Sequence, residues 1–266
     1  MFKLRDWVKI EDLNWITLSA NPRAIHLLTP DNINWYHLSA NPEAIHLLKD
    51  NLDKVDWYML STNPAAIHLL EKYPKKIDWD NLCGNPGAIN LINKQYKKEG
   101  YFFNWFNRLN WSSLSTNPAA IHLLEANPKK IDWTYLSFNP AAIHLLTKNP
   151  DKIDWSILSL NHGALKLLEA NPDKIDWYNL SSNPSAVHLL EKKVEINWGV
   201  LKNPAAIHLV EKILNKLDSM DWIDLSSNPS IFEYDYKAMK RPFTEELMQN
   251  RFHPDNVDKF EGWNHD

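Results

Sequence analysis

The chain has 266 residues, a net charge of −4, 44 % hydrophobic and 23 % charged residues, with 13 Trp but only 6 Gly. A chain this apolar is not disordered, and glycine at about a third of its average usage of roughly 7 % argues against Gly-rich phosphate loops, dinucleotide folds and many-turned β-barrels. The charge gives no global attraction to nucleic acid or anionic lipid.

The first residues, MFKLRDWVKIEDLNW, have no apolar signal core, and no 18-residue apolar run follows. Cys83 is the single cysteine, which excludes an internal disulfide framework and suits a reducing compartment. A soluble, cytoplasmic protein is the expectation. Residues 1–14 read as a half unit: Asp6-Trp7-x-x-Ile10 copies a motif that recurs throughout the chain, here as an N-terminal cap.

From residue 15 onward a repeat dominates, approximately I-D-W-x-x-L-S-x-N-P-x-A-I-H-L-L-E-x-N-P-x-K. An asparagine marks it at 21, 41, 63, 85, 117, 139, 161, 183, 203 and 228, and these positions number repeats 1 to 10. The modal interval is 22 residues, and a Trp precedes the asparagine by six residues in nine repeats and by five in the ninth. Each repeat predicts two short helices. One opens at the Asp or Asn before Trp, which caps it, with apolar residues flanking the start as a hydrophobic staple. The other opens at Asn-Pro, with Asn as cap and Pro at the first helical position. Its apolar residues at offsets 3, 4, 6 and 7, such as Ala24, Ile25, Leu27 and Leu28, cover one face. A second Asn-Pro, as at 127–128, stops it.

The cap before Trp is Asp six times and Asn four times, so an acceptor oxygen is enough there. The cap before the proline slot is Asn in all ten repeats, which predicts that its NH₂ donates to a carbonyl of an adjacent unit. Helices this short are marginal alone, so the units must stack. The expected fold is all-α: an α-solenoid of about ten two-helix repeats with N- and C-terminal caps. Its expected division is 1–14 N-terminal cap, 15–92 repeats 1–4, 93–108 insertion, 109–230 repeats 5–10, and 231–266 C-terminal cap. A leucine-rich-repeat β-solenoid also has a period near 22 residues, but the L-x-L alternation is missing.

The N-P-x-A-I-H-L-L and I-D-W-x-x-L-S units resemble short repeats abundant in proteins of giant DNA viruses of amoebae and algae. The closing S-S-N-P-S-I-F-E-Y-D and F-H-P-D-N-V-D-K-F-E-G-W segments resemble the ends of such proteins. The resemblance implies an all-helical repeat protein, cytoplasmic in an infected host cell or virion-associated. It brings no activity and no catalytic residues.

The insertion holds Lys94, Lys97 and Lys98, then Tyr101, Phe102, Phe103, Trp105 and Phe106. These either pack over the solenoid edge or form a partner-binding knob. Unit four departs from the pattern at Cys83, Gly84, Gly87 and Asn90, which predicts a bend or subdomain division near 83–108.

Seven repeats carry His at one slot (26, 46, 68, 122, 144, 188 and 208), nearly opposite the apolar face. Layers about 8–10 Å apart cannot bring one His each within the roughly 2 Å of a shared zinc, so interlayer hydrogen bonding is expected and no metal. The Trp ladder reads as a core stripe. The basic row Lys54, Lys76, Arg108, Lys130, Lys152 and Lys174 and the acidic series Glu71, Glu125, Glu169, Glu191 and Glu211 read as a solvated, salt-bridged surface. No phosphate loop, paired-His motif or nucleophile constellation is present in the sequence, so neither an enzyme nor a cofactor is expected.

Recognition then falls to slots that vary: the two residues after Trp and the one before the capping Asn. Of the two after Trp, the second is expected to point furthest from the core. The candidate partner-binding residues are Tyr36, Tyr58, Tyr135, Phe138 and Tyr178, with Phe102 and Phe103 from the insertion. The function expected is a non-enzymatic scaffold for a host or viral protein partner, with no membrane and no small-molecule substrate. A structural component of a viral particle and an RNA-binding helical repeat are the alternatives.

Overall fold

The computed structural model describes residues 2–98, 109–192 and 197–238. The chain divides into two units, Ile10–Ser230 and a smaller one made of Met1–Lys9 with Ile231–Asp266.

The larger unit is the repeat array, an all-α solenoid. Each regular repeat opens with a Trp helix such as Trp57–Thr62, Trp133–Phe138 or Trp155–Leu160. The cap is as expected: Asp56 and Asp154 each accept a bond from the backbone N–H three residues on, at 2.9 and 3.0 Å. The second helix is shorter than its apolar pattern implies. Pro64–Ala66 is a 3₁₀ turn, and the α-helix proper is Ile67–Lys72. Two features cause this. Asn63 Oδ1 accepts from the N–H of Ala65, only two residues on, and Ala66 sits at φ −90°, ψ 1°, outside the helical well. The second Asn-Pro ends the Ile helix as predicted, and Pro128–Lys130 forms another 3₁₀ turn.

The core is a column of small motifs. In repeat 6, Leu136, Ser137, Asn139, Ala142 and Leu146 are all fully buried, and equivalents recur through the array. The tryptophans lie outside this column. Nine of the ten repeat tryptophans are half-buried, and a Lys ammonium from the next repeat lies over the ring in these pairs: Lys54 on Trp35 at 5.0 Å, Lys152 on Trp133 at 4.5 Å and Lys174 on Trp155 at 4.6 Å. Trp198 is exposed. The core-stripe reading is therefore corrected: a residue at the first position of a four-to-six-residue helix lies across the repeat boundary rather than beneath it.

Two buried polar side chains join neighbours. Asn139 Nδ2 donates to Ser115 O at 2.9 Å and Asn117 O at 3.0 Å, both in repeat 5. The Ser Oγ donates to the Trp carbonyl four residues back and accepts the N–H of the next repeat's helix cap, as Ser137 does from Asp154 at 3.0 Å. The same asparagine donation occurs in every repeat, which establishes the second role predicted for its amide.

The donation also continues from repeat 1 to repeat 10. Asn21 Nδ2 reaches Ser226 O and Asn228 O, each at 3.0 Å, and the N–H of Asn14 reaches Ser226 Oγ at 2.9 Å. Thr17 Oγ1 adds a 2.7 Å bond to Ile223 O. The array is closed: the stacking face of the first repeat is covered by the tenth, through the bonds that join every other pair.

Asp6-Trp7-x-x-Ile10 does not form the Trp helix expected of a half unit: Asp6 and Trp7 lie in a turn, and only Ile10–Asp12 is helical, as a 3₁₀ turn. In the smaller unit, strand β1 (Phe2–Leu4) pairs antiparallel with β2 (Phe232–Tyr234), Phe2 opposite Tyr234. Lys3 bonds Glu233 at 2.9 Å, and the Phe2 and Tyr234 rings stand 4.9 Å apart.

Among the described residues, repeats 4 and 5 belong to one unit, with no division between them where one was expected near 83–108. Asn117 Nδ2 spans the joint to Cys83 O at 2.9 Å and Asn85 O at 3.0 Å, and the Trp helices of repeats 4 and 5 pack directly. Irregularity lies later in the array. Leu201 occupies the Ser slot of repeat 9 and offers no hydroxyl to the next cap. In repeat 10 the capping carboxylate has moved to Asp218, which takes the N–H groups of Met220 and Asp221, and the helix is Asp221–Ser227.

Candidate protein-binding surface

The Trp helices present the candidate residues. On each, the Trp, the Leu three residues on and the Ser after it are held by packing and capping, which leaves the first residue after Trp aimed at solvent. Tyr36, Tyr58 and Tyr178 occupy this slot, Tyr135 the next one, and Phe138 the position before the capping Asn. All five are 46–62 % exposed. Phe102 and Phe103 lie outside the described residues, as do Arg108 and the rest of the insertion's aromatics.

The expectation that the second slot points furthest outward is reversed. Ile16, Tyr36, Tyr58, Asp80, Thr134, Ser156 and Tyr178 are exposed in the first slot, whereas Thr17, His37, Met59, Asn81, Ser113, Ile157 and Asn179 in the second are half-buried; the exceptions are half-buried Ser112 and Ile223 and buried Gly199 in the first slot and exposed Tyr135 in the second. In repeat 8 the second residue reaches the preceding repeat: Asn179 Nδ2 donates to Ser156 O at 3.0 Å and to Ser156 Oγ at 2.9 Å.

Size is balanced along the exposed face. The first slot and the slot before the capping Asn are one helical turn apart. Ile16 faces Ala20, Tyr36 faces Ala40 and Tyr58 faces Thr62, while Thr134 faces Phe138 and Ser156 faces Leu160. In these five repeats a bulky residue at one end of the helix goes with a small one at the other, so each of the five offers one apolar projection.

The histidines project from the Ile helices and are exposed. Three of them bond the Glu of the preceding repeat at 2.9 Å: His144 to Glu125, His188 to Glu169 and His208 to Glu191. Three of the acidic series thus pair with histidines and three of the basic row lie on tryptophans, where bridges between the two rows were expected. Among the described residues no cluster of three or more His, Cys, Asp or Glu is arranged to hold a metal ion, and no helix is long and apolar enough to cross a membrane.

Cys83 fills the Ser slot of repeat 4 and is buried. Burial pushes its thiol up to about 11, partly offset by the backbone N–H of Asn110. Asp176 is held below the ordinary carboxylate value by the Asn179 N–H and then by the Ser156 hydroxyl.

No protein-family model matches the chain, and no curated protein or solved structure matches it either.

Proposed function

We propose that the closed repeat array is a non-enzymatic scaffold that binds another protein through the variable slots of its Trp helices. One observation carries the reading. At a slot framed by constant, packed neighbours the residue changes from repeat to repeat, and where it is aromatic it stands exposed. Exposed tyrosines cost little to order and bury large amphipathic area, and a few such anchors carry most of the energy of a protein interface. The closed array has no uncovered repeat face by which copies could stack into a longer strut. That favours a discrete binding module over a spanning structural component.

The repeat resemblance adds a setting to this reading: a viral or host partner, met in the infected cell or in the virion. The test is affinity capture from the native cell with the full chain and with a Tyr135→Ala/Phe138→Ala/Tyr178→Ala variant of equal helicity. Loss of a specific partner in the variant is the expected result. Unaltered recovery refutes the surface assignment.

A further inference from the structure

The joints of the closed array are not equally tied. A regular joint combines the asparagine donation with a hydroxyl that takes the next cap's N–H. Between repeats 5 and 6, Asn139 Nδ2 holds Ser115 O and Asn117 O while the N–H of Asp132 reaches Ser115 Oγ at 3.1 Å. Where the amide makes a single bond, the hydroxyl remains: Asn161 Nδ2 donates to Ser137 O at 2.9 Å, beside the Asp154 N–H on Ser137 Oγ at 3.0 Å. Between repeats 4 and 5 the Cys83 sulfur takes the hydroxyl's part and accepts the N–H of Asn110.

The joint between repeats 9 and 10 has lost most of this. Among the described residues its one buried hydrogen bond is from Asn228 Nδ2 to Leu201 O at 2.9 Å. Leu201 offers no acceptor in the serine slot. An ion pair, Lys202 to Asp224 at 3.1 Å, lies half in solvent, where such pairs contribute little. The rest of the joint is apolar: Val200, Leu201 and Leu225 are buried where Trp198–Lys202 packs on Asp221–Ser227. Apolar contact has no preferred direction, so two surfaces held this way can part without a matched set of bonds failing together.

Both flanks of this joint are clamped elsewhere. Repeat 9 is tight on repeat 8, with Asn203 Nδ2 on Ser181 O at 2.9 Å and Asn183 O at 3.0 Å, and Ser182 Oγ on Gly199 O at 3.1 Å. A Cβ at Gly199 would stand 2.7 Å from Tyr178 O, so only glycine fits there. Repeat 10 is bound to repeat 1 through Asn14, Thr17 and Asn21, and Arg23 adds a 3.1 Å bond to Pro229 O. The chain crossing the weak joint is also long. Asn203 and Asn228 are 25 residues apart against the modal 22, and Asn215, Lys216, Asp218, Ser219 and Met220 between them are exposed.

We propose that the closed array parts at the joint between repeats 9 and 10, with repeat 10 moving as one body with repeat 1. The mechanical ends of the array then differ from the ends of the sequence. Parting uncovers the Leu201 face of repeat 9, the longer connection supplies the slack, and the seam between repeats 10 and 1 stays shut. This device goes beyond the scaffold reading and stands without it.

Two measurements on the full chain test it. The first uses the unaltered protein and follows exchange of the bonded side-chain amide protons by NMR. Asn228 should exchange at least tenfold faster than Asn161, which also makes a single amide bond, and faster than Asn21 at the seam. The second uses thiol labelling. Leu201→Cys puts a thiol into the slot that Cys83 occupies between repeats 4 and 5, and Ser226→Cys puts one into the same slot at the seam. Labelling by N-ethylmaleimide, located by peptide mass spectrometry and scaled to the rate in the urea-unfolded chain, should be at least tenfold faster for Leu201→Cys than for Cys83. Ser226→Cys should be as protected as Cys83. Asn228 exchanging no faster than Asn161, or Leu201→Cys as protected as Cys83, overturns the proposal. So does fastest exchange at Asn21 or fastest labelling of Ser226→Cys, because the array then parts at the chain ends. Fast labelling of Leu201→Cys without fast Asn228 exchange overturns it too, since the substitution itself has then loosened the joint.

Discussion

Replacing Asn139 by Asp is the sharpest perturbation of the architecture, because it alters one atom type in a fully buried side chain. The capping role survives, since a carboxylate oxygen still accepts from the Ala141 N–H, 3.0 Å from Oδ1 in the parent. The donor does not. An oxygen would now face Ser115 O and Asn117 O at the 2.9 and 3.0 Å now spanned by Nδ2. Two buried carbonyls lose their partner, at about 1–3 kcal/mol each, so a destabilisation of about 3–5 kcal/mol is expected at pH 7. Burial among carbonyls raises the folded-state pKa of the new carboxyl above its unfolded value, and once protonated it donates to one carbonyl. The variant therefore regains stability as pH falls towards the ordinary carboxylate value and loses it as pH rises through the raised one. Urea unfolding followed by circular dichroism at pH 7 and pH 5 measures both effects, with Asp154→Asn as the control, because that cap needs only an acceptor. An Asn139→Asp protein within about 0.5 kcal/mol of the parent at pH 7 would refute the donor role.

The same substitution at Asn21 tests closure: with repeat 10 supplying Ser226 O and Asn228 O, it should cost as much as at Asn139, whereas in an open stack it would cost almost nothing. Cys83, buried with its thiol pushed up to about 11, should resist aromatic disulfide reagents at pH 8 until the chain unfolds. Labelling at the rate of a free thiol would contradict its placement. Ser156→Ala should move the Asp176 titration up towards the ordinary carboxylate value, because the hydroxyl 2.7 Å away helps hold it down. Carbon-detected NMR reads that shift, and an unmoved titration refutes the assignment. Glu169→Gln should change stability by less than about 0.5 kcal/mol, since the pair with His188 is half in solvent; a larger change in urea midpoint would show that these surface bridges matter more than their exposure implies.

What could be read beforehand was whatever acts within one repeat or between adjacent ones. Caps, staples and the asparagine donor each leave a residue-type signature at a fixed slot, and comparing ten copies separates a slot needing an acceptor from one needing a donor as well. Burial of Trp was misread because helical periodicity loses meaning over four to six residues, and the ring's neighbour is a lysine from the next repeat. The serine slot was overlooked although its recurrence is nearly as strict as that of asparagine. Its hydroxyl ties each repeat to the next cap. Closure has no local pattern, yet there was a clue: Asn21 and Ser226 keep their full grammar at the ends, where an uncovered face would have no use for it. The exposed tyrosines were legible as variable slots.

Closure has a bearing on how such a chain can change. An open stack lengthens by duplicating a unit, and each duplication adds stability at the cost of nothing but length. A circle of ten has no vacant berth: an eleventh copy must prise apart Asn21 from Ser226 and spread the inclination between neighbours over one more step. Copy number is thereby frozen, and inheritance can tinker only with loops and with the side chains the circle holds outward.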